Sequence, residues 1–213
     1  MIGTVAVVVD SASYLPAEIH RKYGLLTVPM NVRIGEAEYR EFETLDAGTF
    51  YAQLGSGAAI ATSQPSPGQF VAAYEQARLM GAQRVLSIHI GSAVSGTVNS
   101  ARIASEMVEV PVDVVDTGQA SFIEGLCAWG GLRNGWPPGL RSEEATAAAL
   151  RASEAAGNVF LVRGTELMRA GGRLKGEAEG GVCRSMEMAH DGAYPLGTAT
   201  TTEEAMDTLA SRL

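Results

Sequence analysis

Three short β-branched runs, each closed by a small polar residue and each followed by helical spacing, limit this chain's fold more than any other feature. They are TVAVVV (4–9), closed by Asp10-Ser11; RVLSIHI (84–90), closed by a Gly- and Ser-rich turn; and PVDVVD (111–116), closed at Asp116-Thr117. Runs without polar alternation suit buried parallel strands, and the intervening helices supply the crossovers that parallel pairing needs. The expected fold class is α/β: a mostly parallel sheet with flanking helices, plus a second, smaller α/β domain. The first domain is placed at 1–140 and the second at 141–213, with NGWPPGL (134–140) as the linker.

The other elements follow from local signals. Leu15-Pro16 opens a short helix. LLTVPMNVRI (25–34) reads as one strand, with Pro29 marking an edge or an irregular stretch. Asp46 caps a helix through Leu54, and GSGAAIATSQPSPGQF (55–70) reads as a loop. Helical spacing covers 69–80, 95–108, 121–132 and 142–156. NVFLV (158–162) is a strand, TELMRAGGRLKG (165–176) a short helix, and 186–196 a hairpin around Asp191-Gly192. A capped helix over 201–213 ends the sequence.

Composition narrows the function. The net charge of −8 with no basic run argues against a nucleic-acid partner, because a phosphate backbone needs clustered Lys and Arg. Cys127 and Cys183 have neither metal spacing nor a disulfide framework, which suits reduced thiols in a cytoplasmic protein. No apolar run approaches the roughly 20 residues of a membrane span. MIGTVAVVVD lacks the basic start of a signal peptide, so no integral membrane association is expected.

The densest chemistry is in SIHIGSAVSGTVNSA (87–101). A helix starting near Ser95 leaves its first N–H groups unpaired, Gly96 allows close backbone approach, and Ser95 and Thr97 add hydroxyls. Together they form a small anion site without a cation. Thr62-Ser63-Gln64-Pro65-Ser66, ahead of another helix, has the same chemistry. Gly91 to Thr97 approximates a P-loop but lacks the lysine that faces the β- and γ-phosphates, so nucleotide hydrolysis is not expected. Ser95 is not in a G-x-S-x-G elbow. Among the histidines, His89 lies within a strand pattern and reads as a packed core residue, with a catalytic base as the minority reading.

Taken together, VVVDSASYLP (7–16), ATSQPSPGQF (61–70), SIHIGSAVSGTVNSA (87–101), VDTGQAS (115–121) and ELMRAGGRL (166–174) resemble the bacterial DegV family, in family order and over nearly the whole chain. The resemblance implies a lipid-binding protein that holds a long-chain fatty acid. It would present the acid to a partner fatty acid kinase, whose acyl-phosphate product enters phospholipid synthesis. It implies no catalytic residue, no metal and no cofactor beyond the bound acid. By the family motifs, Thr62 and Ser95 hold the carboxylate, supported by Ser63, Gly96 and Thr97. Ser121, Phe122, Ile123 and Leu126 are candidates for the acyl tunnel, and Arg169 and Arg173 for kinase docking. Family members are usually longer, and their C-terminal part returns to the first domain with a histidine and a Gly-Pro-Gly segment. This sequence, shortened by comparison, stops at Leu213 without that segment.

The competing reading is an enzyme acting on a phosphorylated or carboxylated small molecule at a crevice of Asp10 and Ser95, with His89 as base. A third is a regulatory or structural protein that has lost its ligand.

Overall fold

The computed structural model describes residues 5–133, 142–162, 168, 173, 183–189 and 191–212. Along these run β1 (Val5–Asp10), a 3-10 turn (Ser11–Ser13), α1 (Ala17–Tyr23), β2 (Leu26–Val28), β3 (Asn31–Ile34) and β4 (Ala37–Arg40). Next come α2 (Ala47–Gly55), β5 (Ile60–Ser63), α3 (Pro67–Leu79), β6 (Arg84–His89), α4 (Thr97–Ser105) and β7 (Val112–Asp116). The described residues continue with α5 (Phe122–Arg133), α6 (Ser142–Ala155), β8 (Asn158–Val162), β9 (Cys183–Ala189), β10 (Gly192–Ala199) and α7 (Thr202–Ala210).

The three runs that define the sequence pattern become neighbouring strands. The parallel sheet has the order β2-β1-β6-β7. Alternate side chains leave opposite faces, as strand geometry requires. Val7, Val9, Leu86 and Ile88 pack with Cys127 and Ala128 of α5 and Ala149 of α6. Val8 and Val85 pack against Phe70, Tyr74 and Ala77 of α3 and Ala101 and Ala104 of α4. Val8, Val85, Phe70 and Tyr74 are fully buried, and removing a side chain of this kind from water stabilises by about 1.5–3 kcal/mol. α6 thus belongs to the same core as the parallel sheet.

Two antiparallel sheets complete the described structure. β4-β3-β5 shares a small core of Val32, Ile34, Leu45 and Phe50. β10-β9-β8 carries α7, and its β9–β10 ladder ends at the Ala189–Gly192 pair.

The structure departs from the pattern reading in three places. The stretch 25–34 is two strands in two sheets: Val28 pairs in parallel with Asp10, whereas Asn31 pairs with Arg40 and Ser63. Pro29 stands at the break, where it has no N–H to offer a ladder and restricts the residue before it. The stretch 55–70 contains β5, which is short and mostly exposed, so no apolar alternation marks it. α4 starts at Thr97 with Gly96 as its N-cap, and no side chain caps it. The linker 134–140 and most of 165–176 lie outside the described residues.

Candidate functional site

The parallel strands end together, and the 3-10 turn after β1 and the Gly-Ser segment after β6 meet there. Beside them, β3 and β5 bring in the T-S-Q-P segment. A cavity of about 310 Å3 opens between these elements, and Thr62, Ser63, Gln64, Ile90, Val94, Ser95 and Arg173 line it. Apolar residues of the antiparallel sheet and α2, including Val32, Leu45, Ala47, Phe50 and Tyr51, line the rest.

Thr62 and Ser95, distant in sequence, therefore line one cavity. Local chemistry explains how each is held. Thr62 pairs with Val32 across the β3–β5 ladder. The next residues turn toward α3, whose N-terminus is closed by Ser66 and Gln69 in a reciprocal capping box. The Ser66 and Gln69 N–H groups are thus satisfied internally. Asn31 donates to the Gln64 carbonyl at 3.1 Å. Ser95 Oγ lies 2.8 Å from Thr97 Oγ1, and Thr97 itself is fully buried. Thr97 backs Ser95 from behind, and the cavity wall is formed by Ser95. Gly96 packs against the Gln64 side chain so closely that a Cβ there would lie 2.8 Å from Nε2.

Arg173 corrects the expectation of a cation-free anion site. It lines the cavity, and its Nε donates to the Val94 carbonyl at 2.8 Å, one residue before Ser95. Arg169 lies outside the described residues. Ser121, Phe122, Ile123 and Leu126 do not line this cavity, and Ser121 and Phe122 are exposed.

Two carboxylates also line the cavity, and both are engaged. Glu41 accepts from Ser11 Oγ at 2.5 Å and from Tyr14 Oη at 3.1 Å. Asp46 caps α2 by accepting from the Thr49 N–H, and its hydrogen bonds to Thr49 hold its pKa below the usual value. At the rim, Tyr14 and Phe42 meet edge to face, 5.7 Å between centroids, both at positive φ. Pattern reading missed the walls from Val32 to Tyr51, although the aromatic residues around Asp46 were a signal available in the sequence.

His89 has no contact with Ser95. Its Nδ1 lies 3.1 Å from Asp10 Oδ2 and its Nε2 2.5 Å from Ser87 Oγ, and all three residues are fully buried. Phe70 packs edge-on against the ring. His89 is therefore the hydrogen-bonded core histidine expected from its strand position. Asp10 caps the 3-10 turn through the Ala12 N–H. No cluster of three potential metal ligands occurs among the described residues. No described helix is long and apolar enough to cross a membrane.

An α/β fold with a parallel central sheet, and a mostly apolar cavity carrying a few polar groups at the ends of its strands, is the form in which such folds take ligands. The profile of the DegV family, described as uncharacterised proteins, matches residues 4–181, and the chain belongs to that family. It is 32% identical over 170 residues to a DegV domain-containing protein of Streptomyces coelicolor, covering 80% of this chain and 60% of that protein. The chain thus spans less than two thirds of that curated relative. Two solved structures are similar: a fatty-acid-binding DegV family protein from Thermus thermophilus (30% identity, TM-score 0.80, 98% of this chain and 76% of that one) and DegV, a fatty acid binding protein from Bacillus subtilis (25%, TM-score 0.87, 99% and 77%).

Proposed function

We propose that this protein binds a long-chain fatty acid with its carboxylate among Thr62, Ser63, Ser95 and Arg173 and its tail against the Val32–Tyr51 wall. The observation that carries this reading is a cavity whose lining combines the Thr62, Ser63 and Ser95 hydroxyls and the Arg173 guanidinium with aliphatic and aromatic residues. Thr97 and Gly96 act behind the site, one by holding Ser95 and the other by letting the 62–64 segment approach.

The energetics favour a lipid over a small anion. A carboxylate taken from water needs several donors, and hydrogen bonds to charged groups contribute about 1.5–3 kcal/mol each. At roughly 30 Å3 per water-sized group, the cavity accommodates about ten non-hydrogen atoms, so the head and the first methylenes fit. Each buried methylene adds about 0.8 kcal/mol. Affinity then comes from the chain, and the polar end fixes its direction. The fatty-acid-binding structures named above, at 25–30% identity, support the same ligand class.

The loaded protein then serves as a carrier that presents the carboxylate to an ATP-dependent kinase in the cytoplasm. Val94 and Arg173, hydrogen-bonded to each other beside the site, are the elements such a partner meets first. The enzyme reading loses its base, because both ring nitrogens of His89 are engaged away from Ser95.

Native mass spectrometry of protein purified from cells tests the proposal. The expected result is a non-covalent adduct whose released mass is that of a long-chain fatty acid. An empty protein that also fails to take up added fatty acid overturns it.

A further inference from the structure

A set of buried polar side chains lies beneath the cavity, and none of them lines it. Tyr74 Oη is 2.8 Å from Ser87 Oγ, which is 2.5 Å from His89 Nε2, and His89 Nδ1 is 3.1 Å from Asp10 Oδ2. These contacts join Tyr74, Ser87, His89 and Asp10 in one buried hydrogen-bonded chain. Asp10 also receives two backbone donors, Ala12 N–H on Oδ1 at 3.0 Å and Ile90 N–H on Oδ2 at 3.1 Å. Ala12 and Ile90 both line the cavity. One carboxylate therefore ties together the two strand ends that floor the head-group site.

A second carboxyl lies against it. Glu124 of α5 is fully buried, and among the described residues neither of its oxygens has a hydrogen-bond partner of regular geometry. Burial pushes its pKa well above the usual value, and the charge and hydrogen-bonding capacity of Asp10 push it further. Two adjacent buried carboxyls do not both ionise readily. Glu124, buried and without a donor among the described residues, is held in its neutral form.

We propose that Asp10 is a positioning residue of the head-group site and that ionisation of Glu124 releases its hold, so that ligand affinity falls as pH rises. The ligand named here rests on the fatty-acid reading above; the Asp10–Glu124 relationship does not. With Glu124 neutral, Asp10 fixes Ala12 and Ile90. With Glu124 ionised, a second buried negative charge opposes Asp10, and the two N–H bonds that shape the floor loosen. The titratable groups around Glu124 are Asp10 on β1, His89 on β6, hydrogen-bonded to Asp10, and Cys127 on α5 itself. Ser13 of the 3-10 turn and Leu15 just after it face α5, and α6 offers Ala149, Leu150 and Ala152 to the same core.

The test has two readouts on the full chain. The first is the amide resonances of Ala12 and Ile90 in ligand-free protein, followed from neutral pH upward through the range in which the protein stays folded. The second is palmitate affinity at both ends of that range, in wild type and Glu124→Gln. Palmitate's own ionisation is common to both proteins and cancels in the comparison. The two amides are expected to shift together with one midpoint in wild type, and affinity to fall at least about tenfold, equivalent to one pKa unit of coupling. Glu124→Gln is expected to abolish both responses. Static amides in wild type, or a pH response that persists in Glu124→Gln, overturns the proposal. If Glu124→Gln does not fold, the wild-type amide titration decides alone. The amide readout needs no ligand, so its outcome stands whether or not palmitate binds.

Discussion

Gly96 and Gln64 approach so closely that a methyl group on Gly96 would fall 2.8 Å from Gln64 Nε2 and 2.9 Å from Cδ. This contact joins the two motifs of the proposed head-group site. Gly96→Ala forces the Gln64 side chain aside, and because that side chain is flexible, the stability cost stays near about 1 kcal/mol. The displaced residue adjoins Ser63 and Thr62, so fatty-acid affinity is expected to fall severalfold in a titration while thermal stability barely changes. Gly91→Ala is the contrast. Its Cβ meets the Gly118 backbone at 2.7 Å, which cannot yield, and the expected loss is about 1–3 kcal/mol in chemical denaturation.

Arg173→Ala removes the cation from the cavity and also the hydrogen bond to the Val94 carbonyl. Loss of a charge-assisted contact of about 1.5–3 kcal/mol predicts a roughly ten- to hundredfold weaker Kd. Arg173→Lys keeps the charge but not the planar fork, so it is expected to recover only part of the affinity. Calorimetry at low and high salt checks the assignment, because the wild-type advantage shrinks as salt rises.

The apolar wall sets how much chain is accommodated. Ala47, exposed at the start of α2, and Phe50, half-buried one turn later, both line the cavity. Ala47→Phe is expected to reduce the space and weaken long acids more than short ones. Phe50→Ala is expected to reverse that preference, at a stability cost of up to about 3 kcal/mol for the lost packing. Competition between acids of different length measures both. An unchanged length preference in both variants removes this wall from the tail site.

Glu124 makes stability depend on pH. Its folded pKa is raised by burial and by Asp10, so the folded state binds more protons than the unfolded state above the ordinary glutamate range. Stability therefore falls as pH rises from the unfolded pKa through the folded one. Glu124→Gln removes that slope and is expected to melt higher than wild type at alkaline pH. Thermal scans of both proteins across pH check the sign. Cys127, whose thiol is pushed up to about 11 by burial, adds a slope of the same sign at alkaline pH, but it is common to both proteins and cancels in the comparison.

The central sheet was legible because its strands are apolar runs with helices between them, a pattern that packing on both faces requires. Val7, Val8 and Val9 announce burial without any knowledge of their partners. The antiparallel sheet was not legible, because β4 and β5 are short and largely exposed and draw their pairing from β3, not from their own pattern. The hydroxyls at Thr62 and Ser95 stood out as residue types in Gly-rich context. Arg173 was marked only as a docking candidate, because its place in the cavity depends on a contact with Val94 that no local spacing encodes. The Asp10–Glu124 pairing was equally silent: a glutamate in a helical segment reads as a solvated face until the sheet is seen beneath it.

Titration of palmitate into wild type and into the Thr62→Ala, Ser95→Ala double variant tests the central claim most directly. Two lost hydrogen bonds to a carboxylate, at about 1.5–3 kcal/mol each, predict a drop in affinity of at least about a hundredfold with the melting temperature preserved. Equal affinity in the two proteins would contradict a carboxylate bound between these residues.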